Sequence, residues 1–209
     1  MIEDFGTTQI LALASAVAWA SGLNLYAAVL ALGGMHHFGI VALPGDLALV
    51  ARPEVMFAAG ALYLAQFVAD KIPGADTLWD TLHTFIRIPA GAFLAAATMG
   101  DADAGMKLVA ALAGGALSLG THATKASGRL FVNSHAPIVG TGAVSLLEDA
   151  AVIGGLYFAA TNPGWFMAAL AVTVVLMGFA LWFLAKFVAF LARKISGLFA
   201  KRAPVNSGP

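Results

Sequence analysis

The sequence contains no cysteine, which excludes disulfides, thiolate catalysis and cysteine-ligated metals at once. Charge is scarce too: Asp, Glu, Lys and Arg make up 11% of the 209 residues, against about 25% in soluble domains. None of the four occurs between Phe5 and Gly45 or between Ala150 and Ala185. Neither sign prevails, since 11 basic residues stand against 11 acidic ones, so the chain has no charge signature for nucleic acid or for an acidic partner. What fills the space is apolar, at 60% of the residues. A bilayer crossing needs about 20 apolar residues, and each uncharged run is longer than that. The composition is that of an all-α, polytopic membrane helix bundle.

Six transmembrane helices are expected, over about 8–36, 54–70, 81–100, 105–132, 142–160 and 165–192, in a single domain of residues 1–200 with a disordered tail at 201–209. Thr161-Asn162-Pro163-Gly164 is strong punctuation between the last two. The first run also reads as two short segments parted at Ser21-Gly22, which would give seven passes. A cleavable signal peptide is the alternative for that run, but such peptides begin with positive charge and this chain begins Met-Ile-Glu-Asp. Lys186, Arg193, Lys194, Lys201 and Arg202 gather at the carboxyl end, and excess Lys and Arg face the cytoplasm. The C-terminus is therefore expected to be cytoplasmic, in the cell (inner) membrane. Six passes put the N-terminus on that side as well, with the loops around Pro44-Gly45-Asp46 and Asp101-Ala102-Asp103 on the other.

Against this apolar background, FVADKIPGADTLWDTLHTFIRIPAG (67–91) is conspicuous. Asp76, Asp80, His83 or Thr84, and Arg87 recur at helical spacing, a polar stripe entering the membrane, with Asp76 placed to cap the helix. Tyr63, Gln66 and Asp70 form a matching stripe on the preceding helix. Pro89 is expected to kink or break the helix just beyond Arg87. In the fourth span His122, Lys125, Arg129 and Asn133 share one face, with small residues Gly120, Thr124 and Gly128 on the other for close packing. The fifth adds Ser145, Glu148 and Asp149. Five acids (Asp70, Asp76, Asp80, Glu148, Asp149) face four bases (Lys71, Arg87, Lys125, Arg129), a near-balance that suggests mutual pairing. Charges near the bilayer centre cost about 2.5–3.5 kcal/mol on insertion scales and tend to face a bundle interior or a water-filled path.

AWASGLNLYAA in the first span and ALSLGTHATKA in the fourth both interrupt an apolar helix with Ser, Gly and a polar residue. They open the two halves of a six-helix chain, as an inverted three-plus-three repeat with interrupted helices would require. The stretches ASGLNLYAAVLALGG (20–34), FVADKIPGADTLWDTLHTFIRIPAGA (67–92), LGTHATKASGRLFVN (119–133) and VSLLEDAAV (144–152) resemble bacterial membrane proteins of the domain of unknown function 4126 family, over about residues 8–180. The resemblance implies an integral membrane protein and brings no catalytic residues.

Enzyme signatures fit poorly. Asp76 and Asp80 have the spacing of a Mg²⁺-binding carboxylate pair but lack a second such motif, and His36-His37 has no Glu to make a metalloprotease motif. The leading expectation is a small transporter or channel passing an ion or small polar solute through a charged intramembrane cavity. Its pathway residues would be Asn24, Asp70, Asp76, Asp80, His83, Arg87, His122, Lys125, Arg129, Glu148 and Asp149. One alternative is a lipid-phosphate enzyme or lipid translocator clamping phosphate with Arg87, Lys125 and Arg129. Another is a structural or partner-binding membrane protein whose charges only pair internally. No cofactor is expected. The expected partners are membrane lipids, further copies of the chain as a homo-oligomer, and a small ion, polar solute or anionic lipid as ligand. Trp19, Trp79, Trp165 and Trp182 read as interfacial or packing residues.

Overall fold

Pro53 and Pro163 each stand at the first position of a helix, where a missing N–H costs no helical bond. The computed structural model describes residues 6–69, 72, 75–135 and 139–200. Its elements are α1 (Thr7–His37), a short 3-10 helix (Gly45–Ala51), α2 (Pro53–Ala69), α3 (Ala75–Ala97), α4 (Ala104–His135), α5 (Val139–Thr161) and α6 (Pro163–Ala200). There is no strand among the described residues. Asp70, Lys71 and the expected tail lie outside the described residues, as do the side chains of Asp76, Asp80 and Asn133. Since α3 begins at Ala75, Asp76 lies within its first turn rather than before it as a cap.

α1 forms the centre of the bundle, with 78% of its apolar window buried against 6% for α6. It is not one straight rod. Asn24 has φ −148° and ψ 98°, outside the helical region, and the chain turns back there. A straight helix of 31 residues would be about 46 Å long. Yet Gln9 and Leu13, near its start, line one small cavity together with Ile40, Val41 and Ala42, just past its end. α1 is therefore a helical hairpin with one limb up to Leu23, another from Leu25, and its tip at Asn24.

The tip lies midway along the bundle. Asn24 bonds Asp149, which stands near the middle of the 23-residue α5, about 15 Å and 18 Å from its two ends at 1.5 Å per residue. A bilayer's hydrocarbon core is about 30 Å thick. The first uncharged run thus doubles back inside the bundle, wrapped by protein, the setting in which irregular backbone is tolerated at membrane depth. The interruption thus lies at Asn24 rather than at Ser21-Gly22.

From the open end of the hairpin the chain passes into the 3-10 helix. There Gly45 (φ 53°) abuts Gly100 (φ 56°) after α3, and a Cβ on Gly45 would stand 2.4 Å from Gly100 Cα. α2 then runs to the depth of the tip, where Tyr63 and Gln66 meet Asp149 and Arg87. α3 returns, α4 descends, α5 rises, and α6 descends past Met177 at Thr121. The start of α1 and the end of α6 accordingly lie toward opposite ends of the bundle. Six full passes would bring the two to the same end; the reversal at Asn24 takes one pass away.

By length and composition four helices suit a membrane crossing, α1, α4, α5 and α6, although α1 folds back at Asn24. The 3-10 helix and α2 together, bent by 62°, make a fifth. α3 is not among them, because Asp76, Asp80 and Arg87 interrupt its apolar stretch. α6 carries the broadest outward apolar face, including Val175, Phe179 and Phe183. There Lys186 Nζ lies 4.3 Å from the centre of the Trp182 ring, an aliphatic stem covering apolar surface with its charge on an aromatic face.

Two further expectations are corrected. α4 is helical throughout Ala104–His135, so the interruption in α1 has no counterpart there and the paired interruptions of an inverted repeat are absent. α3 runs through Pro89 to Ala97 as one helix, so that of the kink or break expected there the break does not occur.

Candidate functional site at the tip of the hairpin

The side chain of Asn24 accounts for the break. In a continuous helix the Leu23 carbonyl would accept the Ala27 N–H. Instead Ala27 N–H donates to Asn24 Oδ1 at 3.2 Å, the bond an N-cap makes, so Asn24 begins the second limb. Its Nδ2 donates to Asp149 Oδ1 at 2.8 Å, while Tyr63 Oη donates to Asp149 Oδ2 at 2.5 Å. The Leu23 carbonyl, released from the helix, accepts from Lys125 Nζ at 2.5 Å. One turn earlier Ser21 Oγ donates to Val17 O at 2.6 Å, a back-bond that bends helices.

Two helix ends of opposite polarity therefore meet at the tip. The end of the first limb carries about half a negative charge and the start of the second about half a positive one. Lys125, an ammonium, lies at the negative end; Asp149, a carboxylate, lies at the positive end. The Lys125 side chain is 0% exposed and also pairs with Glu148 Oε2 at 2.9 Å. Arg129 reaches the same oxygen at 3.0 Å. Glu148 and Asp149 are neighbours on α5, and successive side chains on a helix point about 100° apart. One carboxylate thus faces the bases of α4 and the other faces the tip.

A second cluster lies beside the first. Arg87, fully buried, donates from Nη2 to Gln66 Oε1 at 3.0 Å and from Nη1 to His122 Nδ1 at 3.3 Å. A guanidinium only donates, so His122 Nδ1 is the acceptor and its Nε2 carries the hydrogen. That Nε2–H donates to Thr84 Oγ1 at 2.7 Å. The buried His83 donates from Nδ1 to Trp79 O at 2.7 Å, stacks on the Trp79 ring at 4.2 Å and meets Tyr26 edge-on at 5.7 Å.

Small residues allow these groups to converge. A Cβ on Gly22 would lie 2.5 Å from Ser118 O and 2.7 Å from Thr121 Cβ. One on Gly91 would lie 2.6 Å from Ser118 Cβ, and one on Gly114 2.5 Å from Ala95 Cβ. Backbones this close are what small residues permit between membrane helices. Gly128, expected to serve the same end, has no side chain or backbone within 4 Å of its virtual Cβ.

Of the residues expected in a pathway, Asn24, Lys125, Arg129, Glu148 and Asp149 come together at the tip, and Arg87 and His122 form the adjoining cluster. His83 stands apart, its polar bond being local to α3. Tyr63, Gln66 and Thr84 belong to the site as well; their helical spacing marked them as stripe residues, but uncharged side chains carry little cost signal. The expected pairing of acids with bases is seen at Glu148, which two bases share, whereas Asp149 is held by an amide and a phenol. Among the described residues no three His, Asp or Glu side chains gather to hold a metal ion.

Apolar outer helices around a buried polar centre define an α-helical integral membrane protein. The chain belongs to the family described as a domain of unknown function (DUF4126), whose model matches residues 11–186. No curated protein and no solved structure matches it, so the family brings membership and no activity.

Proposed function

We propose that the protein is a small transporter or channel that passes an ion or small polar solute by way of the hairpin tip. The observation that carries this reading is the break at Asn24, with each helix end facing a buried side chain of opposite charge. Interrupted helices with their ends at the bilayer midplane recur where transporters bind anionic groups at the start of one half-helix and cations at the end of the other. Arg87, His122, Lys125, Arg129, Glu148 and Asp149 form the charged surroundings. Because each is held by neighbours on other helices, a change of partner at one helix requires a shift of another, which is the coupling a transporter needs. The membrane is the cell membrane, and the basic end of α6 faces the cytoplasm by the excess of Lys and Arg.

Proteoliposome flux tests the reading, with a pH-sensitive dye and a monovalent-cation dye inside. Asp149→Asn and Glu148→Gln are expected to abolish flux while the helical content and oligomer size stay those of the parent. Normal flux in both variants discards the reading.

A lipid-translocating role has one observation in its favour. An apolar groove of about 600 Å³, between the second limb of α1, α2 and α3, opens beside the exposed ion pair of Arg52 and Glu54 at 2.8 Å. It lies apart from Lys125 and Arg129, which are engaged at the tip. A phospholipid retained by the parent protein in native mass spectrometry and lost on Ala58→Trp would move lipid handling forward.

A further inference from the structure

We infer that the tip is a monovalent-cation site whose place is held by the Lys125 ammonium, and that an inorganic cation enters in exchange for the lysine's proton. This rests on the transporter reading and names its ion. The oxygens around Nζ are those an alkali cation takes: a backbone carbonyl freed at the end of a half-helix, Leu23 O at 2.5 Å, and a carboxylate oxygen, Glu148 Oε2 at 2.9 Å. Hard cations are bound by just such carbonyl and carboxylate oxygens. The end of the first limb adds its partial negative charge. Lys125 arrives from another helix and is fully buried, so the ammonium fills the place without belonging to the hairpin that forms it.

The charge count selects a single positive charge. Among the described residues, the titratable and charged groups of the site are Glu148 and Asp149 on α5, Arg87 and His83 on α3, Tyr63 on α2, Tyr26 on α1, and His122 and Arg129 on α4 itself; α6 brings Met177 to Thr121. When Lys125 loses a proton and a monovalent cation binds, the site's charge is unchanged, and Arg129 still holds Glu148 at 3.0 Å. A divalent ion would leave an added positive charge beside Arg129 and Arg87. The exchange balances as one proton released per cation bound, so transport by this route is electroneutral.

Two measurements test it in nanodiscs. The thermal midpoint of Lys125→Ala is expected to rise by several degrees in NaCl or KCl relative to choline chloride of equal ionic strength, since a ligand bound only by the folded state raises its stability. The parent, unaltered and therefore folded, is expected to release about one proton per chain when NaCl is added to a weakly buffered sample. Absence of both responses overturns the inference. If they are absent while Asp149→Asn still abolishes flux, the transporter reading survives with another ion. If they are present in a protein that passes no ions, the cation site stands and the transporter reading fails.

Discussion

Asn24 in α1 and Pro89 in α3 are both suited to interrupting a helix, and of these two helices one is interrupted. Asn24 in α1 is no worse than a mild helix disfavourer, and the helix breaks there; Pro89 in α3 is the strongest breaker in the alphabet, and the helix continues. Intrinsic preference puts Pro about 3 kcal/mol above Ala in a helix interior and Asn well under 1 kcal/mol, so local preference alone would place the break in the wrong helix. The difference lies in what the surroundings offer. At Asn24 a buried amide caps the next limb, binds Asp149 across the bundle, and leaves a carbonyl for Lys125. At Pro89 the side chain is exposed, and among the described residues no bond across the bundle draws the backbone out of the helix as at Asn24, Ser118 Oγ–H only adding to Arg87 O at 3.0 Å. Tertiary hydrogen bonding breaks α1 where local preference would not.

The largest effect is expected from Asn24→Leu. It removes the cap of the second limb, about 1 kcal/mol, and strips a buried carboxylate of the Asn24 donor, a further 1–3 kcal/mol or so. Unfolding in bicelles is expected to give a loss of about 3 kcal/mol, with flux abolished. A stable, active variant would mean that the backbone breaks at residue 24 without its side chain. Next comes Gly22→Ala, where the new methyl meets the Ser118 carbonyl and His122 N, at 2.5 and 3.1 Å. Backbone cannot step aside as a side chain can, and overpacking of this kind costs about 1–3 kcal/mol. Unfolding midpoints equal to those of the parent would show that the first limb and α4 are not packed this closely.

Tyr63→Phe tests the same site more gently. It deletes the hydroxyl that donates to Asp149 Oδ2 while keeping the ring, which stacks near Phe67 at 6.4 Å. A hydrogen bond to a charged group contributes about 1.5–3 kcal/mol, and a loss toward the lower end is expected because Asn24 remains. An equal loss in the Asn24→Leu background would mean that the two donors act independently. A smaller one would mean that they hold Asp149 together, as residues in one network do.

The sequence disclosed the helices because charge, Pro and Gly bound them, and the polar groups because they are costly in an apolar chain. Asn24 was legible as part of an interruption. That the interruption turns the chain back was not, since the signal resides in Asp149 and Lys125, which lie more than a hundred residues away. The interruption in α4 was misread for the converse reason: Gly120, Ser118 and Thr121 look like breakers in the sequence, yet Thr121 and Thr124 Oγ1 donate to carbonyls one turn back, at 2.8 and 2.9 Å, and the helix holds. Glu148 and Asp149 looked alike as adjacent acids; only the faces that α5 turns to α4 and to α1 divide their roles. The 3-10 helix lies where Gly45 and Asp46 read as a loop, and its position depends on the contact of Gly45 with Gly100.

Pro89→Ala is expected to have the smallest effect, and it examines the other half of the contrast. Alanine restores an N–H to the Phe85 carbonyl and removes a ring that would crowd it. In a soluble helix that would stabilise by about 3 kcal/mol. Here α3 is already continuous, and membrane helices tolerate proline inside a bundle. The change in unfolding free energy is therefore expected to stay below about 1 kcal/mol, with flux retained. A large gain in stability accompanied by lost flux would instead make Pro89 a working hinge beside Arg87, and the contrast with Asn24 would become one between two moving helices.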